Sequence, residues 1–72
     1  MKGYPHLTPA AARVNAGYTQ EEAAKKIGTT KATLIKWEKG EVSPSVDKAT
    51  VMANVYGWPL QFIIFGKEST IA

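Results

Sequence analysis

Between Thr19 and Gly40 the chain reads TQEEAAKKIGTTKATLIKWEKG, with two helix starts and two helix stops in close succession. Thr19-Gln20-Glu21-Glu22 is a capping box, in which the Thr19 hydroxyl caps the amide three residues on and the Glu22 carboxylate returns to the Thr19 amide. Gly28 supplies the left-handed backbone of a tight turn between helices. Thr29 follows as the turn residue, Thr30 is the next N-cap, and Gly40 is the next stop. Two short helices joined by a tight turn leave a short chain one task, which is to cover one face of the pair. Ala23, Ala24 and Ile27 face inward from the first helix. Its outer face spaces Glu21 to Lys25 and Glu22 to Lys26 for i,i+4 ion pairs. At 100° per residue, Thr30, Leu34 and Trp37 share the core face of the second helix. Ala32, Lys36 and Lys39 share the opposite, displayed face, with Ile35 on its margin.

Seventy-two residues suffice for one domain, and a chain of this size buries only about 60% of the surface it exposes when unfolded. There is no Cys, so apolar packing alone must build the core, as expected in a reducing, intracellular compartment. No run approaches the roughly 18 apolar residues of a spanning helix, and no leader pattern opens the chain, so we expect a soluble protein that is not exported. The net charge is +3 and the pI about 9.3. Distribution matters more: Lys25, Lys26, Lys31, Lys36 and Lys39 share one window with a single acid, Glu38, a local excess of four positive charges. The expected partner is anionic. His6 is the lone histidine, and without Cys or a neighbouring carboxylate it makes neither a metal site nor a catalytic triad. With no P-loop and no dinucleotide glycine pattern either, no enzyme, cofactor or metal is expected.

The flanking chain yields three more helices. Met1–Leu7 holds Gly3 and Pro5 without periodicity and reads as an irregular arm. Thr8-Pro9 starts a helix over about 9–16 that stops at Gly17. After the loop Glu41–Pro44, Ser45 caps a helix over about 46–56, with Val46, Ala49, Met52, Ala53 and Tyr56 toward the core and Val51 and Val55 widening the apolar arc. Trp58-Pro59 restarts the chain, and LQFIIF, about 60–65, is read as a last short helix, apolar nearly all round. Phe62 or Phe65 is then left exposed unless something covers it. Gly66–Ala72 reads as a frayed tail. The fold class is all-α: one domain over 1–72 with an ordered core of about 8–66 between a flexible arm and a flexible tail.

A helix, a turn containing Gly and a second helix with a polar displayed face make a helix-turn-helix. The run AGYTQEEAAKKIGTTKATLIKWEKG, then Pro44-Ser45, then YGWPL, resembles the Cro/CI-type phage repressor family, also called the xenobiotic-response-element family of bacterial regulators, over about Pro9–Phe65. That resemblance implies a compact five-helix lambda-repressor-like domain whose third helix lies in the DNA major groove. It also implies a homodimer, at least on DNA, reading half-sites about 34 Å apart in a palindromic operator. Residue by residue, Gln20 matches a glutamine that bonds a phosphate and braces the recognition helix, and Thr29 and Thr30 match turn positions near the DNA backbone. Lys31, Ala32 and Lys36 match base-reading positions, where lysine donates to guanine O6 and N7 and alanine offers a methyl to thymine. Thr33 and Ile35 add secondary contacts, and Lys39 suits a phosphate. Arg13 and Glu38 match an interhelical salt bridge.

The chain departs from the family pattern in two places. Glu41-Val42-Ser43 stands where many relatives carry Arg or Lys, which leaves loop-to-phosphate contacts to backbone amides. Phe62 stands at a usually polar position, so Trp58, Pro59, Phe62 and Phe65 are expected to meet a second copy or a different protein. With no effector or cleavage domain in view, ligand sensing and self-cleavage are not expected. Double-stranded DNA is the expected partner and the cytoplasm of a bacterial or phage-infected cell the expected place, with no membrane role. Two other functions fit the same residues: a DNA-binding antitoxin-type autoregulator whose last helix binds another protein, and an interaction module that kept the fold without DNA binding.

Overall fold

Every α-helix in the computed structural model, which describes residues 4–66, begins at a hydroxyl and ends at a glycine. Thr8, Thr19, Thr30 and Ser45 each accept the amide of the third residue on, opening α1 (Pro9–Ala16), α2 (Gln20–Ile27), α3 (Lys31–Lys39) and α4 (Val46–Tyr56). At Thr19 both arms of the capping box are made: Glu22 N donates to Thr19 Oγ1 at 3.1 Å and Thr19 N to Glu22 Oε1 at 2.9 Å. The positive φ of 87° at Gly28 turns the next amide, Thr29 N, back to the Ala24 carbonyl at 2.9 Å and aims the chain into α3.

The alanines make the close packing possible. Ala12, Ala23, Ala24, Ala49 and Ala53 are buried where helices approach each other, around Leu34 and Met52, both at 0% exposure. Helix α2 packs against both α3 and α4, while α1 closes the other side of α3 and α4. Ile27, Trp37, Tyr56 and Ile63 complete the core. Burying a side chain the size of Leu34 contributes about 1.5–3 kcal/mol, so truncating it would remove a large share of a small domain's stability. Among the described residues no helix is long and apolar enough to cross a membrane.

The expected fifth helix does not form: the described residues hold four α-helices and a single 3₁₀ turn at Leu60–Phe62. Ile63 is extended, at φ −108° and ψ 123°, because it joins a parallel bridge with Leu7. Leu7 N donates to Phe62 O and Ile64 N to Leu7 O, each at 2.9 Å, so backbone groups that would continue a helix are drawn sideways to another strand of chain. The segment read as an irregular arm is therefore anchored over residues 4–7. Tyr4 sets its ring edge-on to Trp58 at 5.0 Å, His6 lies 5.0 Å from the Phe62 ring, and Trp58 Nε1 donates to Pro5 O at 3.2 Å. What covers Phe62 is in part the chain's own N-terminal segment. Met1–Gly3 and the expected tail beyond Gly66 lie outside the described residues.

Two helix faces also differ from expectation. Val46, placed on the core face of α4, is the first residue of that helix and is 78% exposed, and Val51 is exposed as well. Thr30, placed on the core face of α3, is exposed because its hydroxyl is occupied in capping Thr33 N.

Candidate nucleic-acid interface

The polarity of α3 follows from its sequence spacing. Leu34 and Trp37 are buried, whereas Lys31, Ala32, Lys36 and Lys39 are exposed, and Thr33 and Ile35 are half-buried at the margins. Among the described residues, neither Lys36 nor Lys39 has an acid within 4.0 Å, so their charges are free to meet an anion. The turn supplies the other edge of this surface. Thr29 is half-buried there and sends its amide to the Ala24 carbonyl at 2.9 Å. Thr30 Oγ1 accepts from Thr33 N at 3.1 Å and donates to Thr33 Oγ1 at 3.0 Å, so both hydroxyls are held by the helix start.

Glu38 is the only acid in α3, and its carboxylate is turned away from the lysines. Arg13 Nε donates to Oε2 at 2.6 Å and Nη2 to Oε1 at 3.3 Å, the two-pronged arrangement a planar guanidinium favours. The third prong, Nη1, reaches the Tyr18 carbonyl at 2.9 Å. Gln20 Nε2 adds a bond to Glu38 Oε1 at 3.0 Å, which ties the first residue of α2 to the last turn of α3. Gln20 is half-buried in this position. Below the cluster lies Tyr56, whose hydroxyl is buried and, among the described residues, has no hydrogen-bond partner. The phenol is pushed up to about 12, first by burial and second by the Glu38 charge, with Arg13 opposing both.

Several contacts escaped the sequence reading. Lys48 reaches from α4 to the end of α2, with Nζ 3.1 Å from the Gly28 carbonyl and 3.4 Å from that of Ile27. An ammonium there satisfies orphan carbonyls and meets the negative end of the helix. No sequence signal marks it, because its partners lie about twenty residues earlier. The two expected i,i+4 pairs on α2 are not made within 4.0 Å: Glu22 is committed to its capping box, Lys26 lies 5.3 Å from the Tyr18 ring centroid, and Glu21 points to Lys31. Two of the loop amides expected to face phosphate are engaged within the chain, since Glu41 N and Val42 N both turn back to the Lys36 carbonyl, at 3.0 and 3.5 Å. Trp58, Pro59, Phe62 and Phe65 are each half-buried, with Trp58 and Phe65 packed on the core and Trp58 and Phe62 both meeting the Tyr4 ring.

Residues 10–63 match the protein family described as Helix-turn-helix. Among curated proteins, the chain is similar to the cryptic phage CTXphi transcriptional repressor RstR of Vibrio cholerae, with 36% identity over 59 residues, 82% of this chain and 53% of that repressor. It is also similar to an uncharacterized HTH-type transcriptional regulator of Archaeoglobus fulgidus, 43% identical over 57 residues, 78% of this chain and 81% of the relative. A further uncharacterized HTH-type transcriptional regulator, from Methanocaldococcus jannaschii, is 40% identical over 50 residues, 69% of this chain and 76% of that protein. The match thus spans about half the length of the Vibrio repressor and most of the two archaeal proteins. No solved structure matches the chain at comparable significance.

Proposed function

The chain belongs to the helix-turn-helix family, of the Cro/CI type, and on that premise we propose that it is a DNA-binding transcriptional regulator of repressor type that lays α3 in the major groove of its operator. The observation that carries this reading is the division of charge on α3: Lys31, Lys36 and Lys39 are exposed, while the one carboxylate of the helix is held aside by Arg13 and Gln20. A free acid on that face would repel the phosphates. Lys31 and Lys36 donate to guanine O6 and N7, and the Ala32 methyl meets thymine. Gln20 has a second amide N–H left for a phosphate oxygen. Thr29, Thr30 and Lys39 border the backbone, with Thr33 and Ile35 beside the bases. The activity is occupancy of DNA rather than catalysis, exercised in the cytoplasm.

Two copies act together in this proposal. A helix of nine residues is about 14 Å long at 1.5 Å per residue, enough to follow about four base pairs at 3.4 Å each. One such helix specifies too little sequence, so a palindromic operator with half-sites about 34 Å apart supplies the second reading. The half-buried surface of Trp58, Pro59, Phe62 and Phe65 is the contact proposed between copies.

Selection of bound duplexes from a random pool by the full chain tests the reading and yields the operator. Lys36→Ala should then weaken operator binding by about 1–3 kcal/mol with relaxed preference at one position. A uniform loss across all sequences with a shallower salt dependence makes Lys36 a phosphate contact. No loss at all removes α3 from the groove.

A further inference from the structure

Glu21 takes no part in the capping box that surrounds it, which uses Thr19 and Glu22. Its carboxylate passes over Lys25, four residues on in the same helix, and comes within 4.0 Å of Lys31 Nζ on the next one. Together Glu21, Ala24, Lys25, Thr29 and Lys31 line a shallow groove between α2 and the start of α3. The small Ala24 side chain leaves that groove open. Lys31 is the first residue of α3, where the helix presents its positive end and disfavours a cation, and no acid of α3's own first turn compensates. What steadies the Lys31 ammonium is therefore the acid across the groove.

We propose that Glu21 is a specificity-determining residue, whose carboxylate holds the Lys31 ammonium and withholds its charge from DNA of arbitrary sequence. This rests on the DNA-binding reading above. An ammonium has three donors and no acceptor. Glu21 stands at ion-pair distance, 4.0 Å, too far for a hydrogen bond, so all three donors stay available and at a cognate site two of them reach guanine O6 and N7. On non-cognate DNA, Lys31 has only phosphate to gain, and binding there is almost wholly electrostatic. A carboxylate beside it cancels that gain and itself opposes the phosphates. Discrimination then comes in part from weakening the wrong complex.

Glu21→Gln keeps the shape and removes the charge. Its affinity for the selected operator and for a mixed-sequence duplex of equal length is to be measured at several salt concentrations, alone and combined with Lys31→Gln. The variant should bind mixed-sequence DNA about 3- to 10-fold more tightly, with a salt slope steeper by about 0.9, the increment for one further phosphate contact. Operator affinity should change by less than about 2-fold, because the cognate lysine contacts persist. In the Lys31→Gln background the ratio of the two affinities should no longer respond to Glu21→Gln. An equal response in that background overturns the proposal, since the carboxylate would then act without the lysine, as does an unchanged ratio in the single variant. A wild-type chain that selects no sequence from the pool overturns the DNA-binding reading and this inference with it.

Discussion

Two ion pairs flank α3, Arg13–Glu38 near its end and Glu21–Lys31 at its start, and they differ in nearly every physical respect. The first closes at 2.6 Å between side chains 13% and 7% exposed; the second stands at 4.0 Å, with Glu21 77% and Lys31 50% exposed. Glu38 also accepts from Gln20, and its charge is felt by the buried Tyr56 phenol, so its loss strands other groups. Glu21 and Lys31 each fall back on water. Opposite charges in contact are thus a structural joint at one end of the helix and an adjustable surface feature at the other. Burial decides which, because removing one partner of a buried pair leaves an uncompensated charge, whereas an exposed pair contributes only about 0–1 kcal/mol.

Cutting each pair in turn and measuring stability should separate the two ends of α3 most clearly. Glu38→Ala should cost about 3 kcal/mol in denaturant unfolding, while Lys31→Gln should move it by less than about 0.5 kcal/mol. Similar losses from both would mean that the two ends are not held differently. A smaller effect probes the pinned end through Tyr56. The folded phenol stays neutral up to about pH 12, but in the unfolded chain it ionises from about pH 10. The unfolded state releases its proton first, so this contribution to stability is fully present below pH 10 and is lost as pH rises to 12, up to about 2–3 kcal/mol in all. Tyr56→Phe should flatten that part of the stability profile, and it should be neutral or stabilising at pH 7, since it removes a hydroxyl without a partner. The smallest effect belongs to the turn before α3. Lys48→Met should cost about 1 kcal/mol, as a charge-assisted contact to partly exposed carbonyls is lost, and hydrogen exchange should quicken near Gly28 rather than across the core.

How legible each part was depended on how far apart along the chain the interacting groups lie. The spans of α1 to α4 could be read directly, because a hydroxyl caps an amide three residues on and a glycine ends the helix within its own last turn. The buried pattern Ala23, Ala24, Ile27, Leu34 and Trp37 followed from periodicity alone. Residues 60–65 failed for the opposite reason. LQFIIF has no cap and no polar face, so its local preference was weak, and a bridge to Leu7 decided its shape from more than fifty residues away. Val46 failed as well, because periodicity says which way a residue points but not whether another helix extends far enough to meet it. On the displayed face, exposure of Lys31, Lys36 and Lys39 was legible, but the partner of Lys31 was not.

Local sequence thus set where four helices begin and end, that Ala23, Ala24 and Ile27 of α2 and Leu34 and Trp37 of α3 turn inward, and that α3 carries its charge outward; each of these depends on residues within one or two turns of one another. Tertiary structure alone decided that Gln20 joins Arg13 on Glu38, that Lys48 closes the end of α2, that the N-terminal segment covers Phe62, and that Glu21 reaches across to Lys31. These contacts depend on how the helices are placed against one another, and that placement follows from packing small alanines around Leu34 and Met52 rather than from any local signal.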